Sequence, residues 1–443
     1  MLNPILFLRT TALAFVIFLV SMKGFSQTRI KAMVYNLLNY SNDGTSQQKT
    51  PFLQTILQEL SPDLLVVCEL ESESGSDYLF NNAIVPLNPD FQKAVYEPNQ
   101  SGNSNLQQMV YYNSKKLVLE NSRVILADTR DINQYTFRLN NENSSSNPIL
   151  IQVFVTHLKA ATGLTNRQRR WSSINNFVDE LGDLDPNSYV IFAGDFNFYT
   201  SNEEGYQALV NPNNPIVMLD PIDRPAEPFD PDEYLTQDPY EFYEEDSDHF
   251  WRNSSFADIH TQSTRITNSG MVDTSGSIGG MDDRFDFIRM SENFSINTDL
   301  YYVSDSYQSI GNNGNCYNSF INNTDCGGIY SQNLRDALIE FSDHAPVVME
   351  IETTENVLST ENYVEAFGIL GSNLVHTSLS LSINFNSSIR NLNIYNTNGQ
   401  LIKSIELYNP TDNTVTVNVE NLSQGIYYLS SQNLNTPLKF VKI

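Results

Sequence analysis

Seven short runs rich in β-branched and aromatic residues, IKAMVYNL, PDLLVVCEL, QQMVYYN, ILIQVFVTHL, SYVIFAG, RFDFIRM and APVVMEI, recur between Ile30 and Ile351, separated by longer polar or helical stretches. Several are apolar almost throughout, which suits strands buried on both faces, so the pattern predicts a layered α/β core. Between them, Thr50–Leu60 and Thr165–Leu181 carry helical spacing. The second places Trp171, Ile174, Phe177 and Leu181 on one stripe, read here as core-facing.

At 443 residues the chain has room for one large catalytic core and a small second module. A hydrophobic content of 40% with 23 Tyr and 25 Phe is enough for a packed interior, and a charged fraction of 17% is too low for a disordered polyampholyte. The formal net charge of −27 argues against a surface that coats nucleic acid through a general positive field. A phosphate substrate would need a metal ion or a local basic patch.

Residues 1–26 read as a signal peptide, with Arg9 before an apolar run Thr11–Val20 and a small-residue exit at Gly24 and Ser26. The run is shorter than the roughly 20 residues a bilayer needs, so cleavage is expected rather than stable membrane insertion. Export frames the three cysteines: an oxidising compartment favours a disulfide between Cys316 and Cys326, while Cys68, inside LLVVC, reads as a core residue. The segment Leu219–Phe250 carries Asp or Glu at 12 positions and Pro at 221, 225, 228, 231 and 239, and reads as an irregular surface insertion with calcium binding as an alternative.

The chemistry-bearing residues fall at strand ends. Asn36 and Glu69 close the first two runs, His157 the fourth, Asp195 and Asn197 the fifth, and Asp343 and His344 precede the last. Side chains at successive strand termini converge on one rim of an α/β sheet. Glu69, Asn36 and Asp343 offer hard oxygen ligands for magnesium, manganese or calcium, and the two histidines suit proton transfer or phosphate contact. His249 and His260 follow the acidic insertion and read as structural or rim residues, and His376 as unrelated to catalysis.

In order, YNLLN, VVCELES, VTHLKA, FAGDFNFY, DDRFDFIRMS and FSDHAPV resemble the six signatures of the endonuclease/exonuclease/phosphatase family over about residues 29–351. The resemblance implies an α/β sandwich with two central β-sheets flanked by helices, a catalytic domain over 27–351, and metal-assisted hydrolysis of phosphodiesters with Mg2+, or Mn2+ or Ca2+, as cofactor. It implies that Glu69 binds the ion with Asn36 and Asp343, that Asp195 activates water with Asn197 positioning it, and that His344, oriented by Asp286, contacts the scissile phosphate. His157 takes the place of a second histidine that protonates the leaving oxygen. Leu38 stands where the base-excision repair branch carries an acid, so the branch resembled is that of deoxyribonucleases and sphingomyelinases.

Lys159, Arg167, Arg169 and Arg170 form the basic cluster nearest a signature; they read either as contacts to further substrate phosphates or as helix-surface ion pairs. After a linker at 352–367, residues 368–443 show alternating apolar residues with turns at Asn398-Gly399 and Gly425, read as a small all-β sandwich. NLNIYNTNGQLIKSIEL, VENLSQGIYYLSSQ and LKFVKI resemble the type A sorting domain of the type IX secretion system, which implies that machinery as partner and a secreted or cell-surface protein, exported across the inner and then the outer membrane. An extracellular nuclease is the leading expectation, a phospholipid or small-molecule phosphoesterase the second, and a non-catalytic binding module the third.

Overall fold

The computed structural model describes residues 28–102, 104–141, 148–225, 250–355, 367–369, 373–383, 391–406, 414–430 and 438–443. The signal segment, residues 226–249 of the acidic insertion with His249 and the calcium question, and most of the linker lie outside the described residues. The chain divides into two compact units, Met1–Leu358 and Ser359–Ile443.

The first unit runs β1 (Thr28–Tyr40), α1 (Gly44–Leu60), β2 (Leu64–Leu70), α2 (Glu73–Leu79), β3 (Phe91–Lys93), β4 (Gln107–Asn113), β5 (Leu117–Ile125), β6 (Ile132–Leu139), β7 (Leu150–His157), α3 (Leu164–Leu181), β8 (Tyr189–Asp195), α4 (Glu204–Leu209), β9 (Met218–Leu219), β10 (Asp286–Ser291), α5 (Asn293–Ile296), β11 (Leu300–Tyr302), β12 (Gln308–Ser309), α6 (Gln332–Phe341) and β13 (Val347–Thr353). One sheet has the order β11-β13-β1-β2-β4-β3, with β12 also pairing β13; the other has the order β5-β6-β7-β8-β10-β9. Each contains one parallel pair, β1 with β2 and β7 with β8, and each pair is bridged by a helix because parallel neighbours need a crossover.

The two sheets face each other, which explains why the strand runs carry apolar residues at successive positions. On β7 and β8, Val153, Val155, Ile191 and Ala193 join the core shared with the β1–β2 sheet. Their neighbours Phe154, Val190 and Phe192 pack on Ile174, Phe177 and Leu181 of α3. Helices α1 and α6 cover the outer face of the other sheet through Leu53, Ile56, Leu57, Leu334, Leu338 and Phe341. The layered α/β expectation thus describes the fold.

Two helical readings need correction. Helix α1 starts at Gly44, not Thr50: Asp43 caps it by accepting from Ser46 N at 2.7 Å, and Pro51 is tolerated on its exposed side. Trp171 is 42% exposed and not in the core. The buried stripe of α3 runs through Arg167, Arg170, Ile174, Phe177 and Leu181, because two arginines take the inward positions of the first turns to meet carboxylates.

Cys316 and Cys326 are bonded, with Cα atoms 5.3 Å apart, and Cys68 is buried and free. In the second unit, β14 (Phe367–Ile369), β15 (Leu374–Val375), β16 (Ser378–Ile383), β17 (Asn391–Asn396), β18 (Leu401–Glu406), β19 (Thr414–Asn418), β20 (Gly425–Ser430) and β21 (Leu438–Lys442) form sheets ordered β14-β16-β19 and β15-β21-β20-β17-β18. Leu379, Leu381, Leu392, Ile394, Val417, Leu429 and Phe440 make their core, and the described residues of this unit carry strands and no helix, in keeping with the all-β reading. Among the described residues no helix is long and apolar enough to cross a membrane.

Candidate active site

The carboxyl ends of both parallel pairs point to one rim, and the site forms where they meet. In register, His157 lies beside Asp195, and Asp195 beside Asp286 on β10. From the other sheet come Asn36 and Glu69, where β1 and β2 lose their regular pairing. Leu38, Asn39, Glu69 and Asn197 have φ of 53°, 51°, 59° and 50°. Left-handed backbone at a non-glycine residue costs on the order of 1 kcal/mol or more and persists where the surroundings enforce it. Here it bends the strand ends so that their polar side chains turn into the seam between the sheets.

Asn36 is fully buried, and its Nδ2 donates to Glu69 Oε1 at 3.0 Å and to Asp195 Oδ2 at 3.1 Å. Glu69 Oε2 accepts from Asn39 N at 3.0 Å. His344 Nδ1 is 2.6 Å from Asp286 Oδ2, while its Nε2 is 3.9 Å from Asp195 Oδ2. His157 Nε2 lies 3.5 Å from Asp195 Oδ2 and 3.9 Å from Glu69 Oε1. Asn197 meets Asp195 through its backbone, N to Oδ1 at 3.1 Å; its side chain donates instead to Leu158 O.

The electrostatics separate these groups. Burial pushes the Asp195 carboxyl up to about 7, with Asp286 and Glu69 adding to the rise against His344 and Asn36. Glu69 is raised by burial and by Asp343. For His344, burial works against the charged ring, but Asp286, Asp343 and Asp195 outweigh it and hold it well above the usual histidine range. His157 goes the other way: burial, then Arg130, His344 and Lys159, press it well below that range. The expected proton donor is thus a neutral ring at neutral pH, chiefly because burial disfavours its charged form and the neighbouring cations add to that.

The donor set suits a hard divalent cation. Ligand atoms of Glu69, His157 and Asp195 lie within 4.8 Å of one another, as do those of Asp195, Asp286 and His344. Asp286 Oδ1 and Asp343 Oδ1 are buried acceptors without hydrogen-bond partners. Asp343 is not in either close group: its Oδ2 accepts from Ser277 N at 2.6 Å and from Gln262 Nε2 at 3.2 Å.

The basic cluster divides. Arg170 is buried, with Nε 2.8 Å from Glu203 Oε2, and the largely buried Arg167 lies 3.0 Å from Glu204 Oε2. Arg170 thus meets a carboxylate inside the protein and Arg167 an exposed one, so both take part in ion pairs, as the second of the two readings had it. Arg169 is 42% exposed and pairs with Asp128 at 2.7 Å. Half-buried Lys159 donates to Ala160 O.

Three residues escaped the sequence reading. Arg130 gives Nε to His157 O and Nη2 to Leu158 O, each at 2.6 Å, fixing a cation behind His157. Lys49 is fully buried and donates to Leu37 O, Leu38 O and Asp273 Oδ2, holding the bent end of β1. Gln262 Nε2 stands 2.6 Å from His344 Nε2. Lys49, the one cation in the sequence of α1, was the one available signal. His260, read as structural, is fully buried with its ring nitrogens on Trp251 O and Met281 O.

Comparison with known proteins adds the following. No curated protein matches the chain in sequence. Among solved structures, D. rerio TDP2 complexed with a single-strand DNA product is 13% identical with a TM-score of 0.46, covering 74% of this chain and 100% of that chain. An endonuclease/exonuclease/phosphatase family protein from Bacteroides thetaiotaomicron is 13% identical with a TM-score of 0.43, covering 74% and 99%. The human Nocturnin catalytic domain with bound sulfate is 15% identical with a TM-score of 0.41, covering 74% and 97%. Residues 377–443 match the family model described as the secretion system C-terminal sorting domain. The second unit therefore carries a secretion system C-terminal sorting domain, which makes this a chain addressed for secretion or the cell surface.

Proposed function

We propose that the first unit is a divalent-metal-dependent phosphoesterase of the endonuclease/exonuclease/phosphatase family, acting outside the cell on phosphodiesters, with nucleic acid as substrate. The observation that carries this reading is the convergence, from two sheets, of a buried carboxyl held near neutrality with a clamped, positively charged imidazole 3.9 Å away. Such a pair takes a proton from water on one side and faces an anion on the other.

Glu69, with Asn36 fixing its Oε1, would hold the cation, and His157 and Asp195 stand within reach of the same point. A bound dication would neutralise non-bridging oxygens so that water can approach an anionic diester. Asp195 Oδ2 receives the water proton, kept in place by Asn36 Nδ2 and, through Oδ1, by Asn197 N. His344 presents Nε2 to the phosphoryl group while Asp286 holds Nδ1. Neutral His157 offers a hydrogen bond beside the reacting atoms.

Arg130 and Lys159 favour nucleic acid, as local positive charge beside His157 on a chain of net charge −27. The phospholipid reading has one observation in its favour: Ile266 and Ile278 are 44% and 58% exposed on the segment that presents Ser277 N to Asp343. The test is turnover by the purified protein with Mg2+, Mn2+ or Ca2+ on plasmid DNA, RNA, sphingomyelin vesicles and a small diester. Plasmid nicking that EDTA abolishes is expected. Lipid hydrolysis without nicking would move the assignment to the second reading, and full activity in EDTA would end the metal mechanism.

A further inference from the structure

One buried side chain is bonded to both flanks of the site. Lys49 of α1 is fully buried, and its Nζ donates to Leu37 O at 2.9 Å, to Leu38 O and to Asp273 Oδ2 at 3.0 Å. An ammonium has three N–H groups, and all three are used. The two carbonyls belong to the bent end of β1, which orients Glu69. There Leu38 N donates to Asn36 Oδ1, Asn36 Nδ2 to Glu69 Oε1 and Asn39 N to Glu69 Oε2. The carboxylate belongs to the loop ahead of β10, which orients Asp343. Asp273 Oδ1 accepts from Ser275 N at 2.9 Å and from Ser275 Oγ at 2.6 Å, and two residues further on Ser277 N donates to Asp343 Oδ2 at 2.6 Å.

The flanks also touch each other. A Cβ at Gly276, whose φ is 89°, would lie 2.9 Å from Asp343 Cγ and 2.9 Å from Leu38 Cδ1, so the loop rests on the acid and on the strand end at once. Asn39 Nδ2 adds a longer bond, 3.4 Å, to Ser275 Oγ. Held in this frame, Asp343 keeps Oδ1 as a buried acceptor without a hydrogen-bond partner. A residue that orients the ligands of an ion sets how tightly the ion is held, although it is not itself a ligand.

We propose that Lys49 is a positioning residue for the divalent cation: by tying β1 to the loop ahead of β10, it fixes Glu69 and Asp343 relative to each other and so sets the affinity of the site. The inference rests on the phosphoesterase reading and adds to it a residue that acts through the acids. Charge and position act in opposite directions here. A buried cation near the site repels a dication, so on charge alone the loss of Lys49 would tighten binding.

The test measures Mn2+ binding to the metal-free full chain by titration calorimetry, and thermal midpoints in EDTA and in Mn2+, for wild type, Lys49→Met and the double variant Lys49→Met with Asp273→Ala. The double variant removes one charge of each sign and leaves none of the pair unpaired in the interior, so it keeps the fold if the single variant does not. Both variants should bind Mn2+ roughly 10- to 100-fold more weakly, and the rise in midpoint on adding Mn2+ should shrink to match. At saturating Mn2+, kcat on methyl p-nitrophenyl phosphate should return to within a few-fold of wild type. Mn2+ binding by the double variant as tight as wild type's or tighter would overturn the inference while leaving the phosphoesterase reading intact. So would a lower midpoint in EDTA with no change in Mn2+ affinity, the mark of a purely structural role. A wild-type protein that binds no divalent cation would overturn both.

Discussion

Asp195 links the proposed chemistry to stability through its burial. Its carboxyl rises from 3.8 to about 7 because it is buried among other acids. The unfolded chain releases that proton first as pH rises, so Asp195's contribution to stability is complete below about pH 3.8 and is lost by about pH 7. Above neutrality the ionised group strains the fold. Asp195→Asn should therefore stabilise the metal-free protein at pH 8 by roughly 2 kcal/mol while removing turnover. Thermal midpoints of the two proteins that coincide from pH 4 to pH 8 would show that no such strain exists. Lys49 illustrates the converse, a buried charge kept by two carbonyls and one carboxylate, with no route to water among its contacts.

At the scale of the element, α3 shows how ionic pairs can be mistaken for a binding face. Arg170 and Glu203 are both buried, so removing one partner leaves the other charged in the interior, at a cost of about 3–5 kcal/mol. Arg170→Met should lower the thermal midpoint sharply, and Arg170→Met with Glu203→Met should recover much of it; a midpoint unchanged in the single variant would refute the assignment. Strand ends were legible in the sequence for a reason of topology. Asn36, Glu69, His157 and Asp195 all end strands of parallel pairs, and parallel strands deliver their carboxyl ends to one rim. His344 was legible by its place ahead of the last strand run, and Asp286 only through the resemblance of DDRFDFIRMS to a family signature. Arg130 and Gln262 were not, because a hairpin strand's approach and a long loop bring them in and nothing local in sequence marks them, while Lys49 showed only as a lone cation on its helix. Trp171 misled because its helical stripe counts equally well with arginine in the inward place.

Across the whole molecule, the sorting domain and the first unit have separate cores. Deleting residues 368–443 should leave a folded, active protein retained inside the cell; undiminished appearance of the truncated chain in the medium, followed by activity and immunoblot, would contradict this. The site itself belongs to neither sheet alone, since Asn36 and Glu69 come from one and His157, Asp195 and Asp286 from the other. Turnover is then a gauge of how the layers are stacked. Ile191→Val, a one-carbon loss at the interface of the sheets, should cost only about 1 kcal/mol of stability. Yet a displacement of even a fraction of an ångström between the layers moves Asp195 against Glu69, and misplacement of about 1 Å can cost on the order of 100-fold in rate. Wear in the packing would thus be felt first as slowed chemistry and only later as melting, and a protein with the proposed activity, working outside the cell and beyond the reach of chaperones, would lose its function well before it lost its shape.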